Sequence, residues 1–257
     1  MTANRLSLPR LIGHRGLAAR APENTLAGVR AAHAHGITMI EFDVRLSRDG
    51  VPMVFHDDTL ERTSNGHGVF AGQDAATLSR LDAGRWFSAA FANERIPRLD
   101  DLLRLCRKLG LGVNIELKPN RGEDAATAHA VALALEASGL RRNEVLVSSF
   151  NVASLEAAAR ALPDYPRGLL LETPSGSELA ELEQLGCHSI NVDARAISRD
   201  FVIAMQDHGY AVLAYTVNEQ AQAEQLWHIG VDAVFSDEPL STAQLGHDAF
   251  SGGRTSP

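Results

Sequence analysis

The strongest constraint on the fold is a regular alternation of short apolar runs with longer runs rich in Ala, Leu and Glu. The apolar runs have the length and composition of buried β-strands, and the longer runs have those of helices. Several helical runs end at a glycine, which readily adopts the left-handed conformation that ends a helix. This alternation predicts parallel strands joined by crossover helices. Eight predicted strands begin near residues 11, 39, 112, 144, 167, 188, 211 and 232.

Eight strand–helix units predict an α/β fold of the (β/α)₈ barrel type. The chain has 257 residues, and such barrels typically take about 250. We expect a single catalytic domain over residues 1–245 and a flexible, Gly/Ser-rich tail over 246–257. Two segments interrupt the alternation. Asp49-Gly50 predicts a hairpin with an antiparallel arm at residues 51–56, and residues 57–97 predict a small irregular insertion.

Composition limits the partners and the location that we expect. The 32 acidic and 24 basic residues give a formal charge of -8, so nucleic acid and anionic membranes are not expected partners. No apolar run approaches the ~20 residues that span a membrane, and the first residues do not resemble a secretory signal. Cys106 and Cys187 lie far apart, outside any metal-binding spacing. We therefore expect a cytoplasmic protein without a membrane anchor, either monomeric or homo-oligomeric.

Charged and titratable side chains gather where the predicted strands end. In this fold the carboxyl ends of the strands form the active site. Residues two apart on a strand share a face, and isolated charges are costly to bury, so the grouping indicates a common function. The strand-end residues are His14 and Arg15 on the first strand, Glu41 and Asp43 on the second, His56 at the end of the arm, and Glu116 and Lys118 on the next strand.

These residue types suit phosphoryl chemistry assisted by a metal ion. The three carboxylates offer hard oxygen ligands, which favour Mg²⁺ or Ca²⁺ over zinc. Arg15 and Lys118 can contact phosphate oxygens, the first as a planar fork and the second as a point charge. His14 and His56 can act as a general acid/base pair, because imidazole titrates near neutrality. A divalent cation would neutralise negative charge that develops at phosphorus.

The chain resembles the glycerophosphodiester phosphodiesterase family in motifs that run from residue 12 to about 240. The resemblance rests on several segments of the sequence. They are HRG with PENT at 14–25, IEFDVRLSRDGVPMVFHDDTLERTSNGHG at 40–68, LDAGRWF at 81–87, RIPRLDDLL at 95–103, NIELKP at 114–119, SSF at 148–150, YTVN at 215–218 and FSDEP at 235–239.

The resemblance implies a barrel of the phospholipase-C-like type with a small insertion. It implies metal-dependent hydrolysis of glycerophosphodiesters, such as glycerophosphocholine or glycerophosphoethanolamine, to an alcohol and sn-glycerol 3-phosphate. By matching motifs, His14 and His56 correspond to the catalytic pair, Arg15 and Lys118 to the phosphate-binding cations, and the three carboxylates to the metal ligands. The preferred alcohol, the choice of Mg²⁺ or Ca²⁺, and a cyclic intermediate or direct attack by water stay open.

Five further residues have expected roles within this resemblance. Glu23 is expected to pair with Arg15, and Asn24 chiefly to cap the first helix. Tyr215 stands where the family commonly has Trp, and we expect it to contact substrate. Trp86 and Phe87 in the insertion are possible aromatic contacts at the rim.

Three alternatives compete with hydrolysis of a small glycerophosphodiester. A lysophospholipase D-type phosphodiesterase would use the same residues on a lipid, and would favour an apolar surface around the mouth of the site. A Schiff-base aldolase could use Lys118, but it leaves the histidines and Glu41 without a role. A barrel that only binds phosphate would be expected to lack part of the catalytic set.

Overall fold

The computed structural model describes residues 8–242, in which eight parallel strands close into a barrel. Closure is explicit, because β1 (Leu11–Gly13) pairs with β2 (Met39–Leu46) on one side and with β9 (Ala233–Ser236) on the other. The predicted (β/α)₈ fold is therefore confirmed, while the expected tail at 246–257 lies outside the described residues. The parallel strands are β1 (Leu11–Gly13), β2 (Met39–Leu46), β4 (Gly112–Leu117), β5 (Val145–Ser149), β6 (Arg167–Leu171), β7 (Ser189–Asp193), β8 (Ala211–Tyr215) and β9 (Ala233–Ser236).

Helices cover the outside of the barrel and connect its strands, except for α2 (Ala75–Leu78), which lies in the insertion. Their ends follow the sequence signals, since α3 and α6 each end at a left-handed glycine, Gly110 and Gly186. The helices are α1 (Leu26–Ala34), α2 (Ala75–Leu78), α3 (Leu99–Leu109), α4 (Asp124–Ser138), α5 (Val152–Ala161), α6 (Glu178–Leu185), α7 (Arg199–Asp207) and α8 (Gln220–His228).

The pleat of the strands separates the apolar layer from the site. In β2 every residue is buried, and Phe42 packs into the large cluster between the barrel and its helices. Glu41 and Asp43, on either side of Phe42, therefore face the barrel interior. A second apolar cluster, which includes Ile12 and Phe235, fills the interior of the barrel. The charged strand ends thus lie above an apolar floor rather than in an open pore.

The antiparallel arm forms, but it is shorter than the sequence predicts. The strand β3 covers Pro52–Val54, with Val44 opposite Val54, whereas the prediction extended it to residue 56. Beyond Val54, Phe55 N still donates to the Asp43 carbonyl at 3.0 Å, and the His56 carbonyl accepts a hydrogen bond from the Arg45 side chain at 2.9 Å. The His56 side chain lies at the end of this arm, against the cavity at the carboxyl ends of the strands.

The insertion at 57–97 has a small core of its own beside the barrel. Phe55 and Phe70 stack with their ring centroids 4.9 Å apart, and Leu60, Leu78 and Ile96 are buried with them. Short helical turns, including α2, surround this cluster. The insertion is therefore a packed unit that can hold side chains at the edge of the barrel mouth.

Candidate active site

A cavity of ≈ 230 Å³ lies at the carboxyl ends of the strands and contains most of the predicted residues. It opens at the face where this fold places active sites. A larger groove of ≈ 790 Å³ lies between α1 and the insertion, and the described residues that line it include none of the predicted histidines or carboxylates. The smaller cavity is lined by His14, Arg15, Glu41, His56, Asn114, Glu116, Lys118, Phe150, Leu170, Tyr215, Thr216 and Phe235.

Three buried carboxylates form an acidic cluster at one side of this cavity. Glu41 and Asp43 come from β2, and Glu116 comes from β4 directly opposite Asp43. One oxygen of each carboxylate lies within 4.8 Å of the others. Among the described residues, Glu41 Oε1 has no hydrogen-bond partner although it is buried. A divalent cation fits this donor set, because it would satisfy the unpaired oxygen and the excess negative charge.

The proximity of the three carboxylates perturbs their ionisation in different directions. Burial and the charge of Asp43 raise the pKa of Glu41 to about 8. Burial and Asp43 also raise the pKa of Glu116. Burial would raise the pKa of Asp43 too, but Arg15, His56 and Lys118 lower it below the usual range. Without a cation, the cluster therefore holds one firmly ionised carboxylate and two that retain protons more strongly.

Two cations face the acidic cluster. Lys118 Nζ lies 2.8 Å from Glu116 Oε1 and 3.7 Å from Asp43 Oδ1, while Arg15 Nε lies 3.6 Å from Asp43 Oδ2. Burial lowers the pKa of Lys118, but Glu116 and Asp43 outweigh it, so the net pKa is raised. Both side chains therefore remain cationic beside the cavity, in a position to contact an anionic group.

His14 is held by a carboxylate that directly follows the last strand of the barrel. Its Nδ1 lies 2.7 Å from Asp237 Oδ1, and Asp237 is itself held by the Asn218 amide at 2.8 Å. The other ring nitrogen, Nε2, lies 4.0 Å from Glu41 Oε2. Burial lowers the pKa of His14, but the hydrogen bond to Asp237 and the charge of Glu41 raise it overall. These two carboxylates thus stabilise the protonated imidazole, whose Nε2 lies toward the cluster.

His56 is held in the same way by a residue of the insertion. Its Nδ1 lies 2.6 Å from Asp57 Oδ1, which leaves Nε2 for the cavity. Burial, Arg15 and Lys118 lower the pKa of His56, although Asp43 opposes them. The two imidazoles therefore share one arrangement, a carboxylate on Nδ1, but they differ in the direction of their pKa shift.

The loop after β1 differs in part from the expectation. Glu23 accepts a hydrogen bond from Arg15 Nη1 at 2.7 Å, as predicted. Asn24 does not cap the first helix, because that position belongs to Thr25, whose hydroxyl accepts from Gly28 N at 3.2 Å. Asn24 instead has a left-handed backbone (φ 57°) and donates from Nδ2 to Asp43 at 2.8 Å. This amide fixes a carboxylate of the cluster.

Three aromatic rings line the cavity, those of Phe150, Tyr215 and Phe235, and only Tyr215 was expected there. Tyr215 lies there and donates its hydroxyl to the Leu171 carbonyl at 2.8 Å. Phe150 packs edge-on against it, with the ring centroids 5.7 Å apart. Trp86 and Phe87 lie in the insertion, in edge-to-face contact with each other, and are not among the residues that line the cavity.

Sequence comparison identifies the family. The family model described as the glycerophosphoryl diester phosphodiesterase family matches residues 14–241. The chain belongs to this family. A glycerophosphodiester phosphodiesterase of Caldanaerobacter subterraneus subsp. tengcongensis is 30% identical over 91% of this chain and 96% of its own. The enzyme class predicted from the sequence, a phosphodiesterase of the glycerophosphodiester type, is therefore confirmed.

Solved structures give the same family and the same barrel. A phosphodiesterase of Oleispira antarctica, solved in complex with its product sn-glycerol-3-phosphate, has a TM-score of 0.89 and 38% identity, covering 90% of this chain and 94% of the other. A glycerophosphodiester phosphodiesterase of Agrobacterium tumefaciens has a TM-score of 0.77 and 29% identity, covering 90% and 97%. Within the described part of the chain, every helix is too short or too polar to cross a bilayer.

Several residues of this phosphodiesterase contact the site without having been assigned a role from the sequence. Asp237 directly follows the last strand, and Phe150 directly follows β5, so their strand-end positions were the available signal. Asn114 lies two residues before Glu116 on the same face of β4. Arg62 has no comparable signal, because it lies in an irregular segment without periodicity.

Proposed function

We propose that this phosphodiesterase hydrolyses small glycerophosphodiesters, such as glycerophosphocholine or glycerophosphoethanolamine, to an alcohol and sn-glycerol 3-phosphate in a metal-dependent reaction. The observation that carries the proposal is the arrangement of two histidines, each held at Nδ1 by an aspartate, around a buried acidic cluster. Relatives of this chain bear the name glycerophosphodiester phosphodiesterase. The solved Oleispira enzyme contains the product sn-glycerol-3-phosphate.

The proposed metal ligands are Glu41, Asp43 and Glu116. When bound, Mg²⁺ or Ca²⁺ would supply Lewis-acid stabilisation of negative charge on the phosphoryl oxygens. Arg15 and Lys118 bind and orient the phosphate from the same side of the cavity, since each already lies beside Asp43. The unpaired, buried oxygen of Glu41 supports this assignment.

In the proposed reaction, the two histidines take opposite roles. His56, whose pKa is lowered, accepts the proton of the attacking hydroxyl at Nε2. His14, whose pKa is raised, donates a proton to the oxygen of the departing alcohol. Asp57 and Asp237 hold the two rings by Nδ1, which keeps Nε2 of each ring toward the cavity. The attacking hydroxyl is that of water, which gives glycerol 3-phosphate directly, or the glycerol 2-hydroxyl, in which case water then opens the cyclic glycerol phosphate that forms when the alcohol leaves.

The geometry of Lys118 gives no support to an aldolase. A lysine must lose its proton before it attacks a carbonyl group. Glu116 and Asp43 outweigh the effect of burial and raise the pKa of Lys118, which stabilises the ammonium form. A cation that binds phosphate agrees better with this environment than an imine-forming amine.

The first experiment measures release of glycerol 3-phosphate from glycerophosphocholine with a coupled dehydrogenase. The protein is treated with EDTA and then supplied with Mg²⁺ or Ca²⁺, and activity is expected to return only with the cation. Lysophosphatidylcholine serves as a second substrate, and faster turnover of this lipid would favour the lysophospholipase D alternative. Absence of activity on both substrates with either cation would contradict the proposed function.

Variants then test the histidine pair. His14→Ala and His56→Ala are each expected to lower kcat by about 10²- to 10⁴-fold, the usual contribution of a general acid or base. His208→Ala is the matched control, because His208 lies exposed at the end of α7, where its ring forms a hydrogen bond with the Ala204 carbonyl of its own helix. Near-normal turnover in both site variants, with folding verified by circular dichroism, would refute the assigned roles.

A further inference from the structure

Arg62 lies in the insertion and links the two sides of the active site. Its guanidinium donates from Nε to Asp57 Oδ2 at 2.5 Å and from Nη2 to Asp57 Oδ1 at 2.8 Å. It also donates from Nη1 and Nη2 to the two oxygens of Glu23, both at 2.8 Å. One planar fork thus holds two carboxylates that lie 34 residues apart in the chain (57 minus 23).

The oxygens that Arg62 contacts are the same ones that hold two proposed site residues. Asp57 Oδ1 lies against His56 Nδ1 at 2.6 Å, and Glu23 Oε1 accepts from Arg15 Nη1 at 2.7 Å. Arg62 Nη2 lies between these two oxygens. The contacts therefore run without a break from His56 through Asp57, Arg62 and Glu23 to Arg15.

Both carboxylates stay ionised in this arrangement. Burial raises the pKa of Asp57, but hydrogen bonds from Arg62 and His56 lower it to about 2. Burial likewise opposes ionisation of Glu23, while Arg62 and Arg15 lower its pKa. An ionised Asp57 keeps the proton of the His56 ring on Nδ1, so that Nε2 remains the nitrogen that faces the cavity.

We propose that Arg62 is a positioning residue, which orients His56 through Asp57 and fixes the distance from His56 to Arg15 through Glu23. The proposal rests on the proposed function, because His56 and Arg15 take their roles from it. Arg62 itself does not line the cavity among the described residues. Its side chain is 46% exposed, and exposed ion pairs add little to stability. A contribution to stability alone would therefore not account for the four hydrogen bonds that Arg62 donates.

The kinetic test replaces Arg62 by Gln and measures glycerol 3-phosphate release. Misplacement of a reacting group typically costs up to about 100-fold, so kcat is expected to fall about 10- to 100-fold, while the thermal unfolding midpoint stays near that of the wild type. Arg62→Lys should recover part of kcat, because one ammonium can hold one carboxylate but not both. A kcat for Arg62→Gln within about threefold of wild type would overturn the proposal.

A double variant separates positioning from a general structural effect. In a His56→Ala background, Arg62→Gln should lower kcat by less than about threefold, since the group that it orients is gone. If Arg62→Gln also displaces Arg15, the double variant should still show a higher KM than His56→Ala alone. An equal loss of kcat in both backgrounds would show that Arg62 acts independently of His56, and would overturn the proposal.

The matched control and a readout without turnover complete the experiment. Arg48 forms the same two-pronged contact with Asp74 and joins the hairpin to the insertion. Neither residue is among those that line the cavity, so Arg48→Gln should leave kcat unchanged. The ring-nitrogen NMR signals of His56 should shift in Arg62→Gln and not in Arg48→Gln. Unchanged His56 signals in Arg62→Gln would refute the positioning role, whether or not the wild type is active. Failure of the wild type to release glycerol 3-phosphate would instead refute the proposed function and leave the NMR test of Arg62 in place.

Discussion

Protons and metal ions are expected to compete for the acidic cluster. Burial and Asp43 raise the pKa of Glu41 to about 8, so this carboxyl is largely protonated at neutral pH when no cation is bound. A ligating carboxylate must be ionised, and therefore cation binding below that pH releases a proton. Each unit of pH below the pKa then lowers the apparent affinity about tenfold, equivalent to ~1.4 kcal/mol. Because the pKa of Glu116 is also raised, the affinity for the cation should fall with decreasing pH at least this steeply.

Lowering the pH from 8 to 6 is accordingly expected to weaken Mg²⁺ or Ca²⁺ binding by about 50-fold or more, because about half of the Glu41 carboxyls are ionised at pH 8 and only about 1% at pH 6. Isothermal titration calorimetry in two buffers of different ionisation enthalpy measures both the affinity and the number of protons released. We expect the release of about one proton for each cation that binds at neutral pH. The assay does not depend on turnover, so it tests the acidic cluster separately from the histidines.

Glu41→Gln is the variant that assigns the effect to one residue. The amide keeps the shape of the side chain but cannot ionise, so the affinity should be lower at pH 8 and should vary less with pH. Wild-type affinity that changed by less than about threefold between pH 8 and 6 would refute the reasoning, because a single displaced proton already requires more. An unchanged slope in Glu41→Gln would show that another group supplies the proton.

Three further predictions follow from the same geometry. Asp237→Asn should lower kcat about tenfold or more without weakening metal binding, because His14 loses the carboxylate that stabilises its protonated ring; an unchanged kcat would contradict this. At saturating metal, the pH profile of kcat/KM should have two limbs. Below the usual imidazole pKa, kcat/KM should fall as His56 takes up a proton, and above the usual imidazole pKa it should fall as His14 loses its proton. A profile with a single ionisation would contradict the opposite pKa shifts of the two histidines. Arg167→Met should lower the free energy of unfolding by about 3 kcal/mol or more in urea titrations, because four backbone carbonyls at the ends of α5 and α6 and just beyond them lose their buried donor; a loss under about 1 kcal/mol would contradict it.

The barrel and its charged strand ends could be predicted from the sequence because both depend on local patterns. The strand–helix alternation fixes the fold class, and the spacing of two in Glu41-Phe42-Asp43 places both carboxylates on one face. Asn24 could not be predicted in the same way. Asn and Thr are both favourable N-cap residues, so the sequence alone does not decide which of the adjacent Asn24 and Thr25 caps α1.

The partners of the histidines required the closed fold. Asp237 lies 223 residues from His14 along the chain, and the two meet only because β9 pairs with β1. Arg62 lies in a segment of turns, where neither the period of two nor that of 3.6 indicates which way a side chain points. Local patterns therefore locate the groups that strands carry, whereas contacts made by loops need the tertiary structure.

The two halves of the proposed acid/base pair depend on different parts of the molecule. The Nδ1 partner of His14 directly follows the last barrel strand, and the Nδ1 partner of His56 lies in the insertion, where Arg62 contacts it. The acidic cluster takes its three carboxylates from β2 and β4 alone. Changes in the insertion should thus affect His56 and leave the cluster intact, whereas changes at the β1–β9 seam should affect His14. The insertion is therefore better understood as a support for one member of the proposed acid/base pair than as a cover over the barrel mouth.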